Sequence, residues 1–73
     1  MSAPTSVWAR PLTAREVEIL QAAADGEWGT ETAARLWLSH ETIKSHRKAI
    51  LLHLGVPNIT AAVAKGIRAG IIS

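Results

Sequence analysis

The residues of this chain that could do chemistry are concentrated in residues 39–56, which read S-H-E-T-I-K-S-H-R-K-A-I-L-L-H-L-G-V. At about 100° per residue, a helix over this stretch gathers its apolar residues on one side and spreads Lys44, Ser45 and Lys48 over the other. Lysine ammonium groups can donate to guanine O6 and N7, and a serine hydroxyl can donate or accept at either base type. The spacing therefore predicts a helical face able to read base edges in duplex DNA.

The same stretch carries signals for the start and the end of that helix. Ser39 supplies a capping hydroxyl, and Leu38 is placed to pack against Ile43 at the fourth helical position. Gly55 can adopt the left-handed conformation that ends a helix, and Pro57 prevents its continuation. We therefore predict a recognition helix over about residues 40–53.

Other residues of this helix are expected to contact DNA in different ways. Thr42 and the backbone amides at the helix start suit a phosphate, because a helix N-terminus carries a partial positive charge. Arg47 lies at the edge of the apolar side, so its stem can pack inward while its guanidinium reaches a phosphate. Glu41 could accept a hydrogen bond from cytosine N4, or it could simply favour the positive helix end. The alternative for Lys44 and Lys48 is that they contact only phosphates or solvent.

Three histidines raise the question of a metal site, and their spacing argues against one. His46 and His53 would lie about 10 Å apart along a helix axis, and His40 is further off. We expect His46 to be half-buried beside the apolar stripe and to contact backbone or phosphate. No H-E-x-x-H motif and no pocket-forming architecture accompany the polar residues, so neither a metal, a cofactor nor an enzymatic activity is predicted.

Three further helices are predicted to hold the recognition helix, which makes the fold class all-α with four helices and no strand. The first, over about residues 13–25, begins with Thr13 as its cap and Glu16 at the capping-box position. The fourth, over about residues 59–69, begins after Asn58 and closes at Gly70, with Ile72 and its neighbour folding back.

The second helix is predicted over about residues 30–37, so that it joins the recognition helix through a short turn as a helix-turn-helix. Either Gly29 or Thr30 must cap it, and Thr30 is also expected to contact a phosphate. Ala33, Leu36 and Trp37 are expected to face inward. With Trp37, the residues expected to be buried where the second and third helices cross are Ile43, Ile50 and Leu54.

Composition and charge agree with a small helical domain that binds DNA. A chain of 73 residues holds one domain at most, which we place at residues 11–73 behind a flexible N-terminal arm of residues 1–10. Through Glu41 the chain carries three arginines against six acidic residues, whereas the residues after Glu41 include five cations and no acid. The absence of cysteine excludes disulfides and thiolate metal sites. No signal peptide or long apolar run is found, so no membrane partner is predicted.

The chain from residue 12 to residue 72 resembles the LuxR/GerE-type helix-turn-helix domain found at the C-terminus of quorum-sensing regulators and many response regulators. The resemblance rests on L-T-A-R-E-V-E-I-L, on Glu31 followed by A-A-R-L-W-L-S, and on T-I-K-S-H, L-G-V and N-I-T-A-A-V. It implies a DNA-binding transcription regulator whose third helix enters the major groove and whose fourth helix usually pairs with its copy. Region 4 of sigma factors is similar over three helices but lacks the fourth with its L-G-V and A-V signatures.

The fourth helix is accordingly expected to form a homodimer. The residues expected at its interface recur at helical spacing, and three of them are small: Ala62, Lys65, Gly66 and Ala69. Val63 and Ile67 are expected to pack on the recognition helix instead. The alternative is that a small-residue face is merely tolerated on the surface of a monomer.

The sequence supports two hypotheses about function, a DNA-binding regulator and a protein-binding adaptor. The first is a stand-alone, cytoplasmic, sequence-specific DNA-binding regulator, either bacterial and nucleoid-associated or encoded by a phage. The second is an adaptor that uses the same fold to engage another regulator or RNA polymerase. Its partner surface would include Trp8, Trp28 and Leu52, because large apolar side chains outside the core often mark interfaces.

Overall fold

The computed structural model describes residues 11–73, so the predicted arm of residues 1–10 and its Trp8 lie outside the described residues. The described chain forms α1 (Ala14–Ala24), α2 (Gly29–Leu36), α3 (His40–Leu54) and α4 (Ile59–Arg68), with no strand between residues 11 and 73. The predicted all-α, four-helix class is confirmed, and the predicted helix bounds agree to within one residue.

The predicted caps of α1 and α4 are confirmed. The Thr13 amide donates to Glu16 Oε1 at 2.9 Å, and the Glu16 amide donates back to Thr13 Oγ1 at 3.1 Å, which is the reciprocal pair of a capping box. Asn58 Oδ1 accepts from the Ala61 amide at 2.8 Å. Each cap satisfies an amide that has no partner inside its helix, so the starts of α1 and α4 are defined locally.

The start of α2 differs from the prediction, because Trp28 is the N-cap rather than Gly29 or Thr30. The Trp28 amide donates to Glu31 Oε1 at 2.8 Å, which is one half of a capping box. This hydrogen bond uses only the Glu31 carboxylate and the backbone amide of the cap residue, so the indole side chain of Trp28 does not prevent it. Thr30 therefore lies inside the first turn as an exposed residue.

The expectation that Trp37 faces inward is wrong. Helix α2 ends at Leu36, and Trp37 takes the left-handed conformation (φ +60°) with 94% of its surface exposed. The chain direction changes there, so the helical spacing that placed Trp37 on the inward side no longer applies. Leu38 packs against the core in its place, and its amide donates to the Ala33 carbonyl at 2.9 Å.

The core draws on all four helices and on the residues after α4. Its buried apolar residues are Ile19, Leu20, Ala33, Ile43, Ile50, Ala62 and Ile72. The predicted burial of Ile43 and Ile50 is confirmed, while Leu54 is only half-buried against the core. The expected folding-back of Ile72 is also confirmed. Helix α3 thus has its apolar side fixed inside the domain.

Two of the small residues predicted at the dimer interface, Ala62 and Gly66, face inward. Ala62 is fully buried, and a Cβ on Gly66 would lie 3.0 Å from Leu20 Cδ2 and 3.2 Å from Ile72 Cγ1. Because these residues have little or no side chain, α4 can approach α1 and the residues that follow α4, which we call the tail (residues 71–73). Ala62 and Gly66 are therefore not available to a partner, and the expectation that they form a dimer interface is corrected.

Of the other residues predicted to lie on the fourth helix, Lys65, Val63 and Ile67 belong to α4, and Ala69 follows its last residue. Lys65 Nζ donates to the Leu54 carbonyl at 2.7 Å, at the end of α3, where helix carbonyls lack partners within the helix. Ala69 is exposed. Val63 is half-buried and packs against the core, whereas Ile67 is 50% exposed, so the predicted packing of Ile67 on the recognition helix is not found.

Between residues 11 and 73 no single helix is long and apolar enough to span a membrane. Only α3 and α4 taken together reach the length and composition of a span, as a pair bent by 54°.

Candidate nucleic-acid interface

Helix α3 presents one continuous exposed side, which we call the outer face. It consists of Glu41, Lys44, Ser45, Lys48 and Leu52, all of them exposed. The face points away from the domain because the buried isoleucines of α3 lie on the opposite side of the helix. The three residues that the sequence pattern assigned to base edges, Lys44, Ser45 and Lys48, therefore share one accessible surface.

Glu41 and Lys44 form an ion pair on this face, with 3.3 Å between Lys44 Nζ and Glu41 Oε2. Both side chains are largely exposed, and an exposed pair of this kind contributes about 0–1 kcal/mol. Lys44 can therefore leave Glu41 for a stronger acceptor at little energetic cost. The same pair sets the carboxylate of Glu41 beside the position from which Lys44 would approach a base.

The start of α3 is fixed by hydroxyl groups, as predicted. Ser39 Oγ accepts from the Thr42 amide at 3.1 Å and lies 2.8 Å from Thr42 Oγ1. Thr42 is half-buried, and its hydroxyl is hydrogen-bonded to the hydroxyl of the cap residue. Gly55 then ends α3 at φ +67°, in the left-handed conformation that glycine adopts without steric cost.

The two edges of the outer face carry different residues. Helical geometry sets Thr42 and His46, both half-buried, at one edge. His40 and Arg47 lie at the other edge, which adjoins the start of α2. The residues predicted to contact phosphates therefore flank the outer face on both sides rather than lying on it.

Arg47 packs as the sequence suggested, with its side chain half-buried at the border of the apolar side. Its guanidinium carbon would lie 3.8 Å from a Cβ on Gly29, so it rests against the first residue of α2. Its Nε is buried and has no hydrogen-bond partner between residues 11 and 73. Thr30 follows Gly29 in the same helical turn and is exposed.

One contact of α3 could not be predicted from the sequence. His53 Nδ1 lies 3.6 Å from Glu16 Oε2, and both side chains are mostly buried. The contact joins the end of α3 to the start of α1. The sequence indicates Glu16 only as the capping-box partner of Thr13, and no local pattern connects Glu16 with His53. The 3.6 Å separation is not a hydrogen bond, and Nδ1 has no hydrogen-bond partner between residues 11 and 73, so helical position alone places His53 away from the outer face.

The one cation of α2, Arg35, is paired with a carboxylate, whereas Arg47 and Lys48 of α3 form no ion pair between residues 11 and 73. Arg35 hydrogen-bonds Glu27 through Nε at 3.0 Å, and this bond, with one from Thr32, lowers the pKa of the Glu27 carboxyl. Since Arg47 and Lys48 have no such pair within that range, the uncompensated positive charge of α3 lies on the outer face and at its α2 edge.

In the described part of the chain, no group of three potential ligand side chains could hold a metal ion.

Large apolar side chains are also exposed on and near α2 and α3. Trp28 is 75% exposed before α2, Trp37 is almost fully exposed after it, and Leu52 is 58% exposed on the outer face. Trp28 and Trp37 therefore stand at the two ends of α2. Leu52 stands beside the cations of α3.

Comparison with known proteins agrees with this geometry. Residues 10–65 match GerE, the family described as bacterial regulatory proteins, luxR family. The chain is 39% identical over 72 residues to the HTH-type quorum sensing-dependent transcriptional regulator RpaR of Rhodopseudomonas palustris, covering 99% of this chain and 30% of that protein. It is 47% identical over 53 residues to the probable transcriptional regulatory protein SgaR of Hyphomicrobium methylovorum, covering 73% of this chain and 25% of that protein.

Two solved structures have the same fold. The transcription factor GerE superposes with a TM-score of 0.82 at 29% identity, covering 88% of this chain and 97% of that chain. The response regulator ChrA of a heme-sensing two-component system superposes with a TM-score of 0.83 at 40% identity, covering 86% of this chain and 31% of that chain. The chain spans less than a third of the length of RpaR and SgaR. By the family match, and by four helices that superpose on GerE, the chain belongs to the luxR family of bacterial regulatory proteins.

Proposed function

We propose that the chain is a sequence-specific DNA-binding regulator of transcription, with α3 as the recognition helix in the major groove. The observation that carries this proposal is the outer face, where Lys44, Ser45 and Lys48 are exposed together on a helix anchored in the core. RpaR and SgaR are named as transcriptional regulators, which supports the same function here. A major groove admits one α-helix, and side chains on its exposed side reach the base edges.

The proposed contacts divide into two groups. Base edges are read by residues of the outer face: Lys44, Ser45, Lys48 and Glu41. Phosphates are bound by residues at its edges and at the start of α2: Thr42, His46, Arg47 and Thr30. Lys44 exchanges Glu41 for guanine on binding, which leaves the Glu41 carboxylate free to accept from a neighbouring cytosine.

The test begins with selection of the preferred duplex from a random-sequence pool. On that duplex, Lys44→Ala or Lys48→Ala should cost about 1–3 kcal/mol of binding free energy and relax the preference at one base position. Arg47→Ala should weaken binding to all sequences alike and reduce the salt slope by about one unit. Lysine variants that lose specific and non-specific affinity equally would show that the lysines do not read bases. A parent protein with no preference among duplexes would refute the function itself.

A two-fold dimer through α4 forms part of this proposal, with a different face from the one first expected. Ala62 and Gly66 lie inside the domain, so the proposed contact moves to the exposed side of α4, where Ile67 is a half-exposed apolar residue. Two recognition helices held about 34 Å apart would then bind paired half-sites. Ile67→Glu should abolish cooperative binding to a paired site while leaving a single half-site nearly unaffected. Equal losses on both sites would contradict the dimer.

The exposed tryptophans favour a second candidate, the protein-binding adaptor. Trp28, Trp37 and Leu52 expose apolar surface that the described domain does not cover, and such residues often anchor protein interfaces. The partner in this case is RNA polymerase or another regulator. Capture of purified RNA polymerase by the parent protein, reduced in Trp28→Ser and accompanied by no salt-dependent specific DNA binding, would favour the adaptor. Specific DNA binding without capture would exclude it.

A further inference from the structure

An open cleft follows the exposed side of α1, with α2 and the residues before it as one wall. Its volume is about 450 Å³, so it has room for a large side chain. Ala22 is buried and Val17 half-buried in its lining, and they give it an apolar floor. We call this feature the α1–α2 cleft. Its charged lining residues are Glu18, Asp25, Glu27 and Arg35.

The guanidinium of Arg35 is fixed at the α2 wall of this cleft. It donates to Glu27 through Nε at 3.0 Å and through Nη2 at 3.1 Å, and such a bidentate pair holds the guanidinium plane in one orientation. The hydrogen bond to Glu27 chiefly raises the pKa of Arg35, and Glu18 and Asp25 raise it further, so these carboxylates lie close to the guanidinium. Three acidic side chains against one cation give the lining a net negative charge. A segment that fills the cleft therefore needs an apolar group for the floor and a cation for the rim.

Residues 1–10 have the composition and the reach that this cleft requires. They contain Trp8, Arg10 and no acidic residue. They precede α1 at the end of the helix where the lining of the cleft begins. An extended chain advances about 3.3–3.6 Å per residue and a helix about 1.5 Å, so the four residues from Leu12 back to Trp8 can span about eight residues of α1. Trp8 can therefore reach the floor of the cleft at Val17.

We propose that residues 1–10 dock in the α1–α2 cleft of their own chain, with the Trp8 indole on its floor and Arg10 at its rim. The indole lies over the guanidinium of Arg35, because the electron-rich face of a tryptophan ring attracts a cation placed above it. The in-plane hydrogen bonds of Arg35 leave the faces of its guanidinium free for this contact. Arg10 pairs with the exposed carboxylate of Glu18. Neither the outer face nor DNA takes part, so the docking does not depend on the proposed function.

The isotopically labelled parent protein tests the contact directly. Nuclear Overhauser cross-peaks should join the indole protons of Trp8 to the methyl groups of Val17, at protein concentrations at which the chain sediments as a monomer. Absence of these cross-peaks would overturn the docking. Cross-peaks that appear only when the protein self-associates would assign the cleft to residues 1–10 of a second copy, which overturns docking within one chain.

A protein with Trp8 as its only tryptophan reports on the cleft by fluorescence. Trp28→Phe and Trp37→Phe together remove the two other indoles, which are largely exposed, so the fold should be retained. Acrylamide should quench the native form of this protein clearly less than its unfolded form in urea. Equal quenching of the two forms would show that the Trp8 indole stays in solvent, which contradicts the docking.

Glu18→Arg and Glu41→Arg form a matched pair in the same single-tryptophan protein. Each carboxylate is exposed and paired with a cation three residues away in its helix, but only Glu18 lines the cleft. Glu18→Arg should raise the quenching of the native form towards the unfolded value, because the new cation repels Arg10. Glu41→Arg should leave the quenching unchanged. An equal response of the two variants would show that the rim carboxylate does not hold the segment.

Stability gives an independent measure of the docking. Trp8→Ala should melt about 4–8 °C below the parent, because a docked aromatic side chain removes apolar surface from water. Trp28→Ala is the control, since Trp28 is 75% exposed and takes part in the cap of α2 through its backbone amide. It should melt close to the parent. A Trp8→Ala protein that melts with the parent would overturn the docking.

Discussion

Replacing Gly66 by alanine should destabilise the domain, although alanine is the better helix former. The reason is the contact between α4 and its two neighbours inside the same chain. The added Cβ would lie 3.0 Å from Leu20 Cδ2 and 3.2 Å and 3.3 Å from two side-chain carbons of Ile72. Leu20 is fully buried and Ile72 nearly so, so neither side chain can turn into solvent.

The magnitude follows from two opposing contributions. Alanine gains about 1 kcal/mol over glycine in helix propensity. Overpacking a filled core costs about 1–3 kcal/mol, and three close contacts with buried side chains favour the upper part of that range. The net loss should therefore be about 1–2 kcal/mol. In a domain of this size that corresponds to a melting temperature lower by about 5–15 °C.

The assay is thermal unfolding followed by circular dichroism, with urea unfolding as a second measure of the free energy. Gly29→Ala is the matched control, because the same substitution there meets mainly the exposed side chain of His40. It should melt at or slightly above the parent. A Gly66→Ala protein that also melts at or above the parent would refute close packing of α4 against Leu20 and Ile72.

Three other outcomes are expected. Ile50→Ala should lower the free energy of unfolding by about 2–5 kcal/mol because Ile50 is fully buried, and an unchanged melt would contradict its placement. Trp37→Gly should raise stability by about 1 kcal/mol, since it relieves a left-handed residue without removing core contacts; a clear loss would show that the indole packs on the domain. The Glu27 pKa is lowered by its hydrogen bond from Arg35, so this stabilisation is present at neutral pH and is lost as pH falls through the lowered pKa. Arg35→Gln should therefore lose less melting temperature than the parent between about pH 7 and about pH 3, and equal losses would argue against this bond.

The caps were predictable because their partners lie three residues apart. Thr13, Ser39 and Asn58 each accept from a backbone amide within the first turn of their helix, and the residue types alone indicate that geometry. The left-handed end of α3 at Gly55 follows from glycine in the same local way. The exposed grouping of Lys44 and Lys48 was also predictable, since helical periodicity decides which side chains share a face.

The errors arose where local pattern does not determine the outcome. Trp37 fits the inward spacing of α2, but the helix ends one residue before it, and a change of backbone conformation reverses the direction of the side chain. The small residues Ala62 and Gly66 do indicate close approach of another element. Spacing cannot say whether that element belongs to a second copy or, as found, to α1 and the tail of the same chain.

The packing of Arg47 and His40 against the start of α2 shows the same limit. Arg47 could be assigned to the edge of α3 from its helical position, but its closeness to Gly29 depends on how α2 docks against α3. His40 stood out in the sequence only as one of three histidines without a metal-binding spacing. Contacts of this kind become visible only when the packing of two helices is known.

The tail contact has a consequence for the order in which the domain forms during synthesis. Gln21 Nε2 donates to the Ser73 carbonyl at 2.8 Å, and the Ser73 amide donates to Gln21 Oε1 at 3.1 Å, across a separation of 52 residues. Because Ile72 and Leu20 belong to the same buried core, a nascent chain can pair α2 with α3 early but cannot complete its core until residue 72 has been synthesised. Until then the core around Leu20 is incomplete, so a chain that has not reached residue 72 is more exposed to aggregation and proteolysis than the folded domain.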